Sequence, residues 1–152
     1  MGREGLQIER LTGIGAESDA LIAEASALGF PMMERLRREW LDGTNRFDLP
    51  GEILLAAWVD GHLVAIGGLN RDPYADDSSL GRVRHLYVLA DYRERGIGRA
   101  LVRRIAAEAR AYFVVLRLRT ATAQGARFYE ELGFVRAEGE AVTHIMRLPP
   151  EY

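Results

Sequence analysis

Val88-Leu-Ala-Asp-Tyr-Arg-Glu-Arg-Gly-Ile-Gly98 joins the end of an alternating apolar stretch to a short charged turn and two glycines, directly ahead of an amphipathic helix. Such a turn is shaped to receive a phosphate. Gly96 and Gly98 carry no side chain where a ligand oxygen must approach the backbone, and the helix behind them presents unpaired N–H groups and the positive end of its dipole. Arg93, Arg95 and Arg99 place positive charge around the same point, with Glu94 between the first two.

On either side of this turn the apolar spacing defines the elements. Arg82 to Leu89 alternates as a strand, and Ile97 to Arg110 carries Ile97, Leu101, Ile105 and Ala109 on one helical stripe. Phe113 to Leu118 is a short β-rich run. Gln124 to Leu132 reads as a helix closed by Gly133, and Phe134 to Ala137 and Val142 to Leu148 read as two last strands. A strand, helix and strand over positions 82 to 118 imply a right-handed crossover between parallel neighbours. Upstream, Leu6, Ile8 and Leu11 mark a first strand. Two helices, Ala16 to Leu28 and Met32 to Leu41, are separated by Gly29-Phe30-Pro31. Ile53 to Val59 and Leu63 to Leu69 form a hairpin through Asp60-Gly61. The order is βααβββαβαββ, an α/β (α+β) fold with a mixed central sheet and one domain over 1–152.

The composition, 48% hydrophobic and 28% charged over 152 residues, is that of an ordinary soluble domain. A net charge of −2 argues against nucleic acid as a partner. The longest apolar run, Ile53 to Val59, is too short to span a bilayer, and Arg3 and Glu4 are not followed by a signal-like segment, so a cytoplasmic location is expected, with no membrane partner. The chain has no cysteine, and all 20 Lys+Arg positions are arginine. Thiol nucleophiles, thiolate metal sites, lysine Schiff bases and a lysine-bearing P-loop are thereby excluded, and no metal site is expected.

A dinucleotide fold would place a third glycine where Leu101 stands and an acid after the following strand, where Arg119-Thr120 occurs. A serine hydrolase would need Gly-x-Ser-x-Gly, which is absent. The conjunction of Arg93-x-x-Gly96-x-Gly98 with Ala126-Arg-Phe-Tyr-Glu-Glu-Leu-Gly-Phe134 instead resembles the GNAT superfamily of acyl-CoA-dependent N-acyltransferases. The first segment is similar to the family's pyrophosphate-binding motif and the second to its helix with a Phe-Tyr pair ending in Gly-Phe.

The resemblance implies a GNAT-like sheet with a V-shaped splay between the fourth and fifth strands, into which acetyl-CoA fits as co-substrate. Leu86, Tyr87 and Val88 would pair with the pantetheine arm. Amides from Arg95 through Gly96, Ile97, Gly98 and Arg99 to Ala100 would take the pyrophosphate, with Arg93 and Glu94 in the same turn and Phe128 and Thr122 as further contacts. Tyr129 takes the role of acid toward the departing thiolate, and a backbone N–H near Val88 that of oxyanion donor. Three departures stand out: Arg82 where some members carry a strand Glu, Ala90 for a common Pro, and Thr122 for a common Asn. Without the strand Glu, His85 is the candidate relay to water, with Glu52 and His144 behind it.

The implied activity is acetyl transfer from acetyl-CoA to a primary amine of a small molecule or peptide, by direct attack in a ternary complex. Two alternatives stay open: an acyl-CoA-sensing module without turnover, and a transferase of another acyl group. The acceptor region implied by the family holds Glu34, Arg37, Trp40, Asp72, Tyr74, Asp76, Asp77 and His144. Asp76 and Asp77 suit a cationic amine while Arg37 and Arg38 suit an acid-bearing one, so the acceptor class is open. Homodimerisation through a sheet edge or the last strands is compatible with such a fold.

Overall fold

In a computed structural model that describes residues 5–149, seven strands form one mixed sheet in the order β1-β2-β3-β4-β5-β7-β6. The strands are β1 (Leu6–Arg10), β2 (Ile53–Val59), β3 (His62–Arg71), β4 (Leu80–Val88), β5 (Val115–Leu118), β6 (Val135–Arg136) and β7 (His144–Arg147). Four α-helices accompany them: α1 (Asp19–Ala27), α2 (Met32–Asp42), α3 (Ile97–Ala109) and α4 (Ala123–Glu131). The element order is the one read from the apolar spacing. Arg3 and Glu4 lie outside the described residues.

Each face of the sheet buries its own core. Ile97, Leu101 and Ile105 of α3 pack on Leu55, Ala57, Val64, Leu116 and Leu118. On the other face, Leu21, Ile22 and Ala25 of α1 and Met33 and Leu36 of α2 meet Leu54, Ala56, Ile66 and Tyr87. Each large aliphatic side chain so buried contributes about 1.5–3 kcal/mol, so α3, which buries Ile97, Leu101, Val102 and Ile105, is fixed firmly against the sheet. The β2–β3 hairpin closes through Asp60 (φ 49°) and Gly61 (φ 83°), the left-handed pair that a two-residue hairpin turn needs.

Two features of β4 position the functional site. It pairs in parallel with β5 through Leu80, Gly81 and Arg82 alone, so Val83 to Val88 runs on without a β5 partner and the sheet opens into a V. The ladder with β3 also slips: Gly68 faces Arg84 whereas Ile66 faces Tyr87, which leaves one extra residue in β4. His85 sits in that bulge at φ 58°. Two glycines on β3 admit it, because a Cβ on Gly68 would lie 2.6 Å from the Phe47 ring and 3.2 Å from the Arg84 carbonyl oxygen.

The boundaries differ between β3 and β4. The reading from sequence ends β3 at Leu69 and starts β4 at Arg82, whereas the ladder continues to Arg71 opposite Gly81. Asn70 is buried there and would be costly alone, but it exchanges amide hydrogen bonds with Asn45 (3.0 Å each) and donates to Glu52 Oε2 (2.9 Å). Residues 16–18 form a 3₁₀ turn leading into α1 rather than its first helical turn.

Candidate active site

The V between β4 and β5 opens onto a cleft of about 580 Å³ lined by the α1–α2 turn, α2, β4 from Arg82 to Leu86, the end of β5, and Tyr129 of α4. Tyr129 is placed by its own helix terminus. Gly133 (φ 101°) turns the chain after α4, its N–H donating to Glu130 O (3.1 Å) and the Phe134 N–H to Tyr129 O (3.1 Å), the double bond of a Schellman end. The ring is held edge-on between Phe128 (5.0 Å) and Phe134 (5.5 Å). Burial pushes its phenol well above the ordinary range, so the hydroxyl stays protonated. Among the described residues that hydroxyl has no hydrogen-bond partner, and the ring lines the cleft.

His85 reaches the same cleft from the bulge. Its Nδ1 lies 3.1 Å from the Met32 carbonyl, which can only accept, so Nδ1 carries the proton and Nε2 presents a lone pair. That Nε2 is buried and has no partner among the described residues. Burial, reinforced by the charges of Arg84 and Arg35, lowers the imidazole from 6.5 to about 3, so it is neutral at any physiological pH. Stability should therefore drop as pH falls from about 6.5 toward about 3, where the unfolded chain binds a proton that folded His85 refuses. Denaturant titrations at pH 7, 5 and 4 should show His85→Gln losing about 1.4 kcal/mol less per pH unit than the parent in that window. Parallel pH profiles would refute the neutral assignment.

The glycine turn lies beside this cleft and outside its lining. Gly96 (φ 80°) is the left-handed N-cap of α3, and Glu94 is also left-handed (φ 63°). The first amide of α3 bonded back to the cap is Ala100 N to Gly96 O (3.0 Å), so Ile97, Gly98 and Arg99 have N–H groups to offer. The Ile97 side chain itself is in the core. A Cβ on Gly98 would meet Phe128 at 3.4 Å and Val88 at 3.6 Å, which puts this glycine, Phe128 and the end of β4 around one point.

The three arginines of the turn behave differently. Arg93 folds back, Nε donating to Val88 O (3.0 Å) and Nη2 to the Tyr87 hydroxyl (3.1 Å). Arg95 lies over the Tyr92 ring (4.9 Å), and Arg99 reaches Glu131 of α4 (3.8 Å), an exposed pair of little energy. Tyr87 in turn donates to Glu24 Oε2 (2.5 Å), which also accepts from Ala90 N (2.9 Å). These bonds and the Arg93 charge hold the Glu24 carboxyl below its ordinary value against the opposing effect of burial, and burial with the Glu24 bond pushes Tyr87 up to about 12. Glu24 was not singled out from sequence. Its signal was an acid three residues after Leu21 and one before Ala25, at the rim of the buried face of α1.

Thr122 lines the cleft and caps α4, its Oγ1 accepting from Gly125 N (2.9 Å). Leu86 also lines the cleft. Other candidates are engaged elsewhere. Glu52 accepts from Leu49 N, Asn70 Nδ2 and Arg71 N, and His144 Nε2 bonds Glu130 Oε2 at 2.8 Å. Asp72, 2% exposed, faces two arginines, Arg82 Nη1 at 3.4 Å and Arg117 Nε at 3.1 Å. Glu34 and Arg37 pair with each other (2.6 Å), and Trp40 lines a different cavity. Among the described residues no three metal-ligating side chains cluster, and no helix is long and apolar enough to cross a membrane.

Comparison with known proteins places this geometry. Residues 50–136 match the family model for an acetyltransferase (GNAT) domain. A search of curated proteins gives no match. Among solved structures, a presumptive acetyltransferase from Exiguobacterium sp. 255-15 is 33% identical with a TM-score of 0.84, over 93% of each chain. A GNAT family N-acetyltransferase from Escherichia coli, solved in complex with CoA, shares the fold at 18% identity and a TM-score of 0.69, over 95% of this chain and 82% of that one. An acetyltransferase of the GNAT family from Staphylococcus aureus Mu50 does so at 14% identity and 0.67, over 95% and 99%. The glycine turn, the splayed β4 and β5 and these matches give one assignment: the chain belongs to the GNAT acetyltransferase family.

Proposed function

We propose that this protein is an N-acetyltransferase that transfers the acetyl group of acetyl-CoA to a primary amine by direct attack in a ternary complex, in a cytoplasmic setting. The observation that carries this reading is a cleft at the splay of β4 and β5 lined by Tyr129, whose hydroxyl has no partner among the described residues, and by His85, beside a glycine turn with free amides. CoA bound to the Escherichia coli relative supports the donor. Amides of residues 96–99 take the pyrophosphate, Ala100 N being held by Gly96 O, and the edge of β4 at Leu86 to Val88 that has no β5 partner receives the pantetheine arm as an added strand.

The chemistry then follows from charge. The neutral amine attacks the thioester carbon, the oxyanion is met by a β4 amide, the C–S bond breaks, and the thiolate takes a hydrogen bond and then a proton from Tyr129. The acylated nitrogen loses its proton through water, and that proton restores the Tyr129 phenol, so the nitrogen's proton ends on the CoA sulfur and the enzyme is unchanged. His85, neutral and weakly basic, shapes the cleft wall and does not store the proton.

Purified protein with acetyl-CoA and an amine panel should release CoA thiol only when an acceptor is present. CoA binding without release would favour a sensing module, and faster release from another acyl-CoA would change the donor. Gly98→Arg should raise the acetyl-CoA Kd about tenfold or more, about 1.4 kcal/mol, because the side chain grows from the point shared by Phe128 and Val88. Unchanged affinity by calorimetry would remove the turn from the cofactor site.

A further inference from the structure

We propose that the acceptor is an amine that also bears an anionic group, a carboxylate or phosphate, which Arg84 holds within the cleft that Tyr129 lines. This rests on the transferase reading above and names its substrate class. Five arginines line the cleft, Arg35, Arg38, Arg82, Arg84 and Arg119, and no aspartate or glutamate does. Arg82 is matched by Asp72 (3.4 Å) and Arg35 by Glu39 (3.3 Å). Arg38, Arg84 and Arg119 form no ion pair among the described residues.

Arg84 is the telling one. It is partly buried, sits one residue from His85, and the only hydrogen bond of its side chain among the described residues is from Nη1 to the neutral Asn70 amide oxygen (3.3 Å), with the Tyr74 ring 6.0 Å away and no carboxylate bound. A guanidinium drawn from water without a counter-charge is unfavourable, and a planar anion that accepts its paired N–H groups removes that cost. The adjoining cavity of about 540 Å³ shares Arg84, Arg35 and Tyr74 and does contain carboxylates. Its two buried ones are already used, Glu52 by three N–H donors and Asp72 by its arginines. A polycationic amine entering the cleft would meet like charge, whereas an anionic one is attracted. The same positive field lowers the pKa of the bound amine and so favours the neutral nucleophile that attack requires.

The test compares matched acceptors in the thiol-release assay: L-alanine with L-alaninamide, L-glutamate with L-glutamine, O-phosphoethanolamine with ethanolamine, and spermidine. At least one more anionic member should show a kcat/KM tenfold or more above its partner and above spermidine; the pair that does so identifies carboxylate or phosphate. Arg84→Gln should raise KM for that acceptor tenfold or more, move kcat less, and erase the preference, with Arg84→Lys recovering part of it. Acetyl-CoA affinity by calorimetry serves as the folding control for both variants, and the matched ratios on the parent protein decide the matter independently of them. Preference for spermidine or the less anionic partners, refusal of every more anionic member, or a parallel KM rise for both members of a pair in Arg84→Gln overturns the inference. If acetyl-CoA binds while the anionic acceptors are refused, only this inference fails; if acetyl-CoA does not bind, the transferase reading falls and takes it along.

Discussion

Tyr129→Phe should lower kcat about 100-fold, about 2.7 kcal/mol of transition-state stabilisation, while the acetyl-CoA Kd stays within about twofold. The substitution removes one oxygen and nothing else that packs. The ring keeps its edge contacts with Phe128 and Phe134, and the lost hydroxyl has no partner to strand among the described residues. What disappears is the donor toward the departing sulfur. A buried phenol whose pKa is raised is a weak acid in isolation, but the acylated ammonium formed in the same step is a far stronger one, so net proton supply is not limiting. The hydrogen bond to the forming thiolate is the contribution at stake. Single-turnover kinetics with saturating acetyl-CoA would isolate the step. Full retention of the rate would make Tyr129 a packing residue and leave solvent to protonate CoA.

What could be read from the chain is what local backbone chemistry dictates. Asp60-Gly61 closes the hairpin and Gly133 ends α4 because left-handed φ values narrow the choice to a few residue types. Gly96 marks the α3 cap for the same reason. The bulge at His85 escaped because one inserted residue preserves the look of alternation from Arg82 to Leu89, and only the register against Gly67 and Gly68 exposes it. The true extent of β3 escaped because polar letters at Asn70 and Arg71 read as a loop until Asn45 and Glu52 arrive from the α2–β2 segment. The Glu24–Tyr87 bond joins residues 63 positions apart, and no spacing rule reaches that far. The same holds for the charge lining of the cleft, whose arginines come from α2, β4 and the segment after β5. An Arg-only basic composition hides which arginines matter until the fold gathers them.

Asp72→Ala should cost about 3–5 kcal/mol of folding stability, since removing one partner of a buried ionic group leaves the others uncompensated. Arg82 and Arg117 are direct partners in the parallel β4–β5 ladder, so two guanidiniums lie side by side at the last rung before the sheet splays. Asp72 Oδ2 contacts both, and Oδ1 accepts from Tyr74 N at 2.8 Å, tying the loop after β3 into the same place. Arg82, 5% exposed, also rests on the Tyr74 ring at 4.6 Å. The arginine in place of a strand carboxylate is thus a fixed part of the vertex of the V, balanced by an acid from the neighbouring loop. Scanning calorimetry of Asp72→Ala should show a Tm about 6–20 °C lower, at about 2–4 °C per kcal/mol for a domain of this size. Asp72→Asn keeps the acceptor for Tyr74 but not the charge, and should fall between. Arg82→Met added to Asp72→Ala should regain part of the loss, because it removes one of the two stranded cations. A cost under about 1 kcal/mol for Asp72→Ala would mean that solvent screens the triad as it does surface pairs. The vertex would then be held by its three ladder rungs and the Leu116 core alone, and the cleft angle would owe nothing to charge.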